Sequence, residues 1–143
     1  VYASDANPTF ANCTFVGNSR SQIEVVGSAG YAEFRWCAIS HSPDGVGLDV
    51  EHAASVYLYE SIVHGNAGGD AVACDTLGVW FMDPLYCGMA EDDYTHCSNS
   101  PCLAANNPEG RNLGCMSDVP GCGECDDSPV EPISWGRMKA LFR

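Results

Sequence analysis

The chain repeats a pattern of residues every 24 positions. Internal repetition at a period of this length indicates stacked units of one supersecondary type. Each unit is too short for a pair of helices and is rich in β-branched and aromatic residues, so we predict that it forms one coil of β-strands. The predicted core ladders, whose members share this spacing, are Phe10, Phe34, Leu58 and Met82; Cys13, Cys37 and Ser61; and Phe15, Ile39 and Val63.

Within each unit, inward and outward residues alternate, which is typical of strands with one buried face. Trp36 and Glu60 mark a bend inside the unit, and Gly17 and Gly65 mark a turn where a positive φ is permitted. The inward positions of the strand after the turn are Ile23 and Val25, then Leu48 and Val50 at a step of 25, then Val72 and Cys74. Equivalent strands of successive coils should therefore lie side by side, parallel and roughly 4.8 Å apart.

Several segments carry a resemblance to a known family, beginning with residues 12–18 (Asn-Cys-Thr-Phe-Val-Gly-Asn) and 61–66 (Ser-Ile-Val-His-Gly-Asn). On these segments, residues 8–88 resemble the right-handed parallel β-helix repeat family. Residues 83–87 (Asp-Pro-Leu-Tyr-Cys), 93–94 (Asp-Tyr) and 99–103 (Asn-Ser-Pro-Cys-Leu) resemble the closing module of its secreted bacterial members, and 134–143 (Ser-Trp-Gly-Arg-Met-Lys-Ala-Leu-Phe-Arg) resembles a C-terminal tail of some of them. The resemblance implies an all-β, right-handed parallel β-helix, a fold that serves lyases, adhesins and structural proteins alike.

The predicted organisation has three parts. Residues 1–88 form about three full coils, residues 89–127 form a Cys-rich irregular cover, and residues 128–143 form a linker and a short amphipathic helix. The apolar residues of this helix, which share one side at helical spacing, are Trp135, Met138, Leu141 and Phe142. A helix this short is unstable alone, so it needs a surface on its own coils or on a neighbouring copy.

Six of the nine cysteines follow the coils, in a part of the chain with few apolar residues: Cys87, Cys97, Cys102, Cys115, Cys122 and Cys125. Because such a segment buries little surface, we predict that disulfides constrain it and that the protein is exported to an oxidising compartment. Ser-Pro-Cys and Gly-Cys contexts like those of the family favour a bond between Cys102 and Cys115. The alternative is a zinc site built on the C-x-x-C spacing of Cys122 and Cys125, completed by Cys97 and Cys115.

Cys13 and Cys37 would stack on adjacent coils, close enough for a disulfide but equally suited to packed thiols. The chain begins Val1-Tyr2-Ala3 and contains no transmembrane run. We interpret it as a mature exported protein, at the cell surface or outside the cell, with a fragment of a longer chain as the alternative.

The net charge of −13, from six Lys and Arg against 19 Asp and Glu, argues against a nucleic-acid partner. Asp49, Glu51 and Asp75 are weak candidate Ca²⁺ ligands because they fall near one phase of successive coils, and a solvated acidic surface is the more common explanation of such residues. His41 and His64 fall near turns at phases that differ by one residue, so we interpret them as exposed turn residues. No catalytic residue is predicted, since the chain has no Ser-His-Asp order, P-loop or nucleophile elbow.

A stack of coils has two open ends, each with a row of unpaired backbone groups. Only seven residues precede the first coil, too few for a cap, whereas residues 83–125 could cover the other end. We therefore predict a non-enzymatic structural protein that associates head to tail with itself. Outward-facing Tyr57 and Tyr59 are further assembly candidates. The alternatives are a β-helix that binds or cleaves carbohydrate, and a fragment of a larger adhesin.

Overall fold

The computed structural model describes residues 1–4, 7–27, 31–51, 55–70, 74–115 and 119–125. Within these residues the chain forms twelve short β-strands and two 3₁₀ segments, Met89–Glu91 and Ala104–Asn106. The strands are β1 (Tyr2–Ser4), β2 (Thr9–Ala11), β3 (Thr14–Val16), β4 (Ile23–Val26), β5 (Tyr31–Arg35), β6 (Ala38–Ser40), β7 (Leu48–Glu51), β8 (Ser55–Tyr59), β9 (Ile62–His64), β10 (Asp75–Leu77), β11 (Tyr86–Gly88) and β12 (Asp93–His96). The prediction of a strand-rich protein is confirmed.

The first ten strands form three parallel sheets, which the chain visits in rotation. The first sheet has the order β1-β4-β7, the second β2-β5-β8-β10, and the third β3-β6-β9. We call each pass through the three sheets a coil, so that coil 1 contains β1–β3, coil 2 contains β4–β6 and coil 3 contains β7–β9. Neighbouring strands in a sheet thus come from successive coils, as the sequence repeat predicts.

The strand register follows the repeat through these coils. In the second sheet Phe10 pairs with Phe34 and Phe34 with Leu58, and the rings of the two phenylalanines stack 5.0 Å apart. In the first sheet Ile23 pairs with Leu48, which confirms the predicted step of 25. The third sheet repeats the pattern with Phe15, Ile39 and Val63. These side chains fill one continuous apolar core between the sheets.

The corners of the coils are fixed by residues with a left-handed backbone. The bend between the second and third sheets has positive φ at Asn12, Trp36 and Glu60, which confirms the predicted bend. After each bend a side chain donates to the carbonyl that precedes it: Cys37 Sγ to Arg35 O at 3.3 Å and Ser61 Oγ to Tyr59 O at 2.7 Å. Both carbonyls also accept a backbone N–H from the preceding coil, Asn12 for Arg35 O and Trp36 for Tyr59 O, so the predicted ladder of small sulfur and hydroxyl side chains adds a second hydrogen bond at each bend. Cys13 and Cys37 are free thiols.

The prediction that Met82 continues the Leu58 ladder is wrong. Leu58 pairs with Thr76, and the side chain of Met82 is 49 % exposed. The fourth coil is shorter than the repeat requires, so its strand in the second sheet arrives early. Cys74 packs against the core without being part of a strand, and Val72 lies outside the described residues.

The cysteine-rich segment is held by two disulfides, Cys87–Cys122 and Cys97–Cys125. Strands β11 and β12 pair antiparallel within it, so the predicted boundary at residue 88 falls inside a hairpin. We call residues 83–115 and 119–125 the cover.

The predicted bond between Cys102 and Cys115 is wrong, because both residues are free thiols. Cys102 is fully buried in an apolar cluster with Leu113, and Cys115 is exposed. The two residues thus lie in different environments. The resemblance at the sequence level does not fix pairing, which depends on how the cover folds against the coils.

The cover lies against the outer face of the third sheet. Leu113 packs with the outward side chains of Ala38 and Ile62, and the Gly114 N–H donates to the Trp36 carbonyl at 2.7 Å. Gly114 has φ +85, and a side chain there would clash with Thr14, so glycine is required at this approach. The cover therefore spans all three coils along one side. It was expected at the end of the stack.

A charge in the core should separate inward from outward positions. We predict that Leu58→Asp destabilises the protein by roughly 3–5 kcal/mol, because it leaves an unpaired carboxylate in a dry core. Tyr57→Asp, one residue earlier on the outer face, should cost far less. Chemical denaturation of both variants measures the difference, and equal losses would contradict the assigned faces.

Seven of the nine cysteines should divide into three classes in a native alkylation experiment. Non-reducing peptide mapping should recover the Cys87–Cys122 and Cys97–Cys125 pairs, and iodoacetamide should label exposed Cys115 quickly. Burial raises the pKa of Cys37 and of Cys102 to about 12, so at pH 8 both remain protonated and should react only after unfolding. Free thiols at all four bonded positions, or zinc bound through cysteine thiolates, would contradict this assignment.

Candidate functional site

The N-terminal end of the stack presents three strands that each pair on one side only among the described residues. They are β1, β2 and β3 of coil 1. Around β2, the Glu33 N–H donates to Pro8 O and the Asn12 N–H donates to Arg35 O, each at 3.0 Å. The backbone groups of the even-numbered residues therefore point toward coil 2. The N–H and C=O of the intervening Ala11 must then point away from the stack.

The opposite end presents the outer strands β7 and β10. Beside them, β9 receives a single bridge, from Trp80 to Ile62. Large apolar side chains are exposed nearby: Leu77 by 65 %, Phe81 by 56 % and Met82 by 49 %. Exposed backbone edges flanked by apolar side chains are the usual features of a surface that pairs with another chain.

The outer face of the second sheet carries a cluster that we call the tyrosine face: Tyr31, Glu33, Arg35, Tyr57 and Tyr59. The sheet register sets Glu33 beside Tyr57 and Arg35 beside Tyr59. The rings of Tyr31 and Tyr57 lie 5.4 Å apart, those of Tyr57 and Tyr59 stack 6.0 Å apart, and the Arg35 guanidinium lies 4.7 Å from the centre of the Tyr59 ring.

Hydrogen bonds to Glu33 hold the tyrosine face together. Its carboxylate accepts from Arg35 Nε and from the Tyr31 hydroxyl. The bond from Arg35 lowers the pKa of Glu33, and the same contacts raise the pKa of Arg35 and of Tyr31. Glu33 and Arg35 are therefore both charged at neutral pH and cancel locally, which leaves a planar, mostly aromatic surface.

The candidate Ca²⁺ ligands are not brought together. Asp49 and Glu51 lie on β7 in the first sheet, whereas Asp75 lies on β10 in the second. Asp49 has Ser21 Oγ at 3.5 Å from its carboxylate. Since Asp75 belongs to a different sheet from Asp49 and Glu51, the grouping by phase along the sequence does not produce a shared site.

The predicted assembly residues divide between described and undescribed parts of the chain. Tyr57 and Tyr59 face outward, as expected from their position beside buried Leu58. The four C-terminal candidates, Trp135, Met138, Leu141 and Phe142, lie outside the described residues.

Sequence reasoning missed Glu33 and Arg35 as partners of the tyrosines. The signal was available, because positions 33 and 35 precede 57 and 59 by one repeat and must stand beside them in the sheet.

Comparisons of the chain with family models, with curated protein sequences and with solved structures found no match. Among the described residues there is no helix with the length and hydropathy needed to cross a bilayer.

Proposed function

We propose that the chain is a right-handed parallel β-helix protein that associates head to tail with copies of itself in an extracellular assembly. Its role is structural and not enzymatic. The observation that carries this proposal is the position of the cover along one side of the stack, which leaves strand edges open at both ends among the described residues.

The two ends suit each other because all three sheets of the coils are parallel throughout their strands. The backbone N–H and C=O groups on the free edge of β10 in one copy can pair with those on the free edge of β2 in the next copy. Pairing them continues the second sheet in the same direction, and the contact cannot close on itself. Exposed Leu77 lies on the far edge, and Phe10, whose ring ends the Phe34 stack, lies on the near edge.

The net charge of −13 opposes such contacts and gives the assembly a salt dependence. Copies of the same acidic chain repel one another at low ionic strength, and salt screens that repulsion over about 10 Å at 0.1 M. The two disulfides support an oxidising compartment, and an extracellular location is consistent with them.

Sedimentation velocity at increasing protein and salt concentration tests the proposal. The intact chain should form larger species as either concentration rises. Ala11→Pro removes an edge N–H that faces away from coil 2, and Leu77→Lys places a charge on the opposite edge. Each should weaken association at least about tenfold, roughly 1.4 kcal/mol per contact.

Two matched variants control for side effects. Ala11→Thr changes the same position but keeps the N–H, and Met89→Lys adds the same charge at an exposed apolar residue of the cover that belongs to no strand of the coils. Both should associate as the intact chain does. An intact chain that stays monomeric throughout, or Leu77→Lys and Met89→Lys variants that behave alike, would contradict the proposal. If Ala11→Pro proves unstable by thermal unfolding, the lysine pair decides.

The second candidate function is carbohydrate binding, and the tyrosine face is the observation that favours it. Three neighbouring tyrosine rings beside a neutralised Glu–Arg pair offer both stacking surfaces and hydrogen-bonding groups for sugar rings. The face is a sheet surface without an adjacent cluster of free carboxylates among the described residues, so binding fits it better than cleavage.

Depletion of the protein from solution by insoluble cellulose tests this candidate. Replacing Tyr57 and Tyr59 together by alanine should reduce the bound fraction several-fold. Tyr94→Ala, which removes a tyrosine from the cover, should leave it unchanged. Equal binding by both variants, or no binding by the intact chain, would argue against the tyrosine face as a sugar site.

A further inference from the structure

The corner between coils 2 and 3 gathers two imidazoles and a carboxylate from separate parts of the chain. His41 follows β6, His64 ends β9, and Asp83 begins the cover. One nitrogen of each histidine and one oxygen of Asp83 all lie within 4.8 Å of one another. The backbone sets this up, because the His41 N–H donates to the His64 carbonyl at 3.0 Å and brings the two rings within 5.8 Å.

His41 has a left-handed backbone at a corner where the equivalent residues of coils 1 and 3 are glycines. The same corner is Gly17 in coil 1 with φ +69 and Gly65 in coil 3 with φ +68, whereas His41 has φ +57. A side chain with a Cβ is strained in this left-handed region, whereas glycine adopts it freely. Backbone strain at only one of three equivalent corners suggests that the side chain at that corner has a function.

The His41 ring is partly buried at the corner. Its Nδ1 is buried and has no hydrogen-bond partner among the described residues. Gly65 leaves the space that the ring needs, since a Cβ at that position would come 3.2 Å from His41 Cδ2. The Tyr86 ring packs 5.9 Å from it on the cover side.

Asp83 is oriented by its own backbone. Its Oδ1 accepts from the Leu85 N–H at 2.8 Å, and its Oδ2 lies 3.8 Å from His64 Nε2. That distance is too long for a hydrogen bond. The carboxylate and the imidazole therefore face each other across a gap, without a direct bond between them.

We propose that His41, His64 and Asp83 bind one divalent transition-metal ion of the zinc class. Imidazole nitrogens with a single carboxylate oxygen suit Zn²⁺ and its first-row neighbours, whereas Ca²⁺ requires a larger set of oxygens. In a tetrahedral site with bonds near roughly 2.0–2.1 Å, ligand atoms lie about 3.3 Å apart, so the three atoms need only close in on the ion. The two histidines and the aspartate leave a fourth position for water, and all three side chains are partly exposed.

Such an ion would tie the cover to the corner of coils 2 and 3. None of the three proposed ligands lies on β2 or β10, the strands that the association test alters, so the metal test and the association test can fail separately.

Titration of the intact, non-reduced protein with Co²⁺, followed by competition with Zn²⁺, tests the proposal. One Co²⁺ per chain should bind and give visible ligand-field bands without a thiolate charge-transfer band, and Zn²⁺ should displace it. His41→Gly restores the residue of the neighbouring corners, and Asp83→Asn keeps the acceptor for Leu85 N–H. Each should weaken metal binding at least about tenfold, since loss of a second-shell partner alone costs about 10–100-fold.

Asp44→Asn is the matched control, because it removes an exposed carboxylate near His41 that is not part of the cluster. Zn²⁺ should raise the unfolding temperature of the intact chain and of Asp44→Asn but not of His41→Gly. No uptake by the intact chain would overturn the proposal. So would unchanged affinity in both ligand variants, or a strong charge-transfer band that assigns the metal to cysteines.

Discussion

The structure depends on the hydrogen bonds between equivalent strands of successive coils. Each strand is three to five residues long, too short to persist alone, and it is held by a neighbour one repeat away in the sequence. Keeping this register over many coils requires the same chain length per coil and the same backbone at every corner. The positive φ at Asn12, Trp36 and Glu60, each one repeat from the next, meets that requirement. The ladder of Cys13, Cys37 and Ser61 adds a side-chain hydrogen bond to a carbonyl at each of these bends.

The part of the fold that follows from the repeat could be predicted from the sequence, and the part that ends the repeat could not. The pairing of Phe10, Phe34 and Leu58 is a matter of counting, because parallel strands at constant period must align. The same count wrongly predicted that Met82 pairs with Leu58, because the fourth coil is shorter than the others and Thr76 takes that position. No local sequence pattern marks such a deletion. Nothing in the sequence of Leu113 or Gly114 indicates that they lie on the outer side of Ala38, since that contact joins segments far apart in the chain.

The placement of the cover also explains why the prediction of disulfides at all six late cysteines was wrong for Cys102 and Cys115. A segment with little core of its own was expected to use every cysteine as a crosslink. Instead, the segment packs against the outer face of the third sheet, where Cys102 acts as a small apolar side chain beside Leu113. Two disulfides then suffice for the portion that extends past that sheet, and Cys115 remains exposed as a thiol. The same lateral placement leaves the strand edges at both ends unpaired among the described residues.

The candidate sites differ in how they relate to the repeat. The tyrosine face follows from the repeat, because the strand register brings side chains one repeat apart into contact on a planar surface. The sequence therefore contained the signal for this site.

The histidine corner does not follow the 24-residue repeat. His41 and His64 are separated by one position less than a full repeat, and this offset argued against a common site when only strand phases were compared. The chain turns at the corner, so residues one position out of phase can still place their side chains close together there. Asp83 comes from beyond the last full coil, where the repeat no longer predicts position. In a repeat protein, the residue that breaks a structural rule shared by its equivalents is the better indicator of function. By that criterion, the histidine in the glycine corner is the most informative departure in this chain.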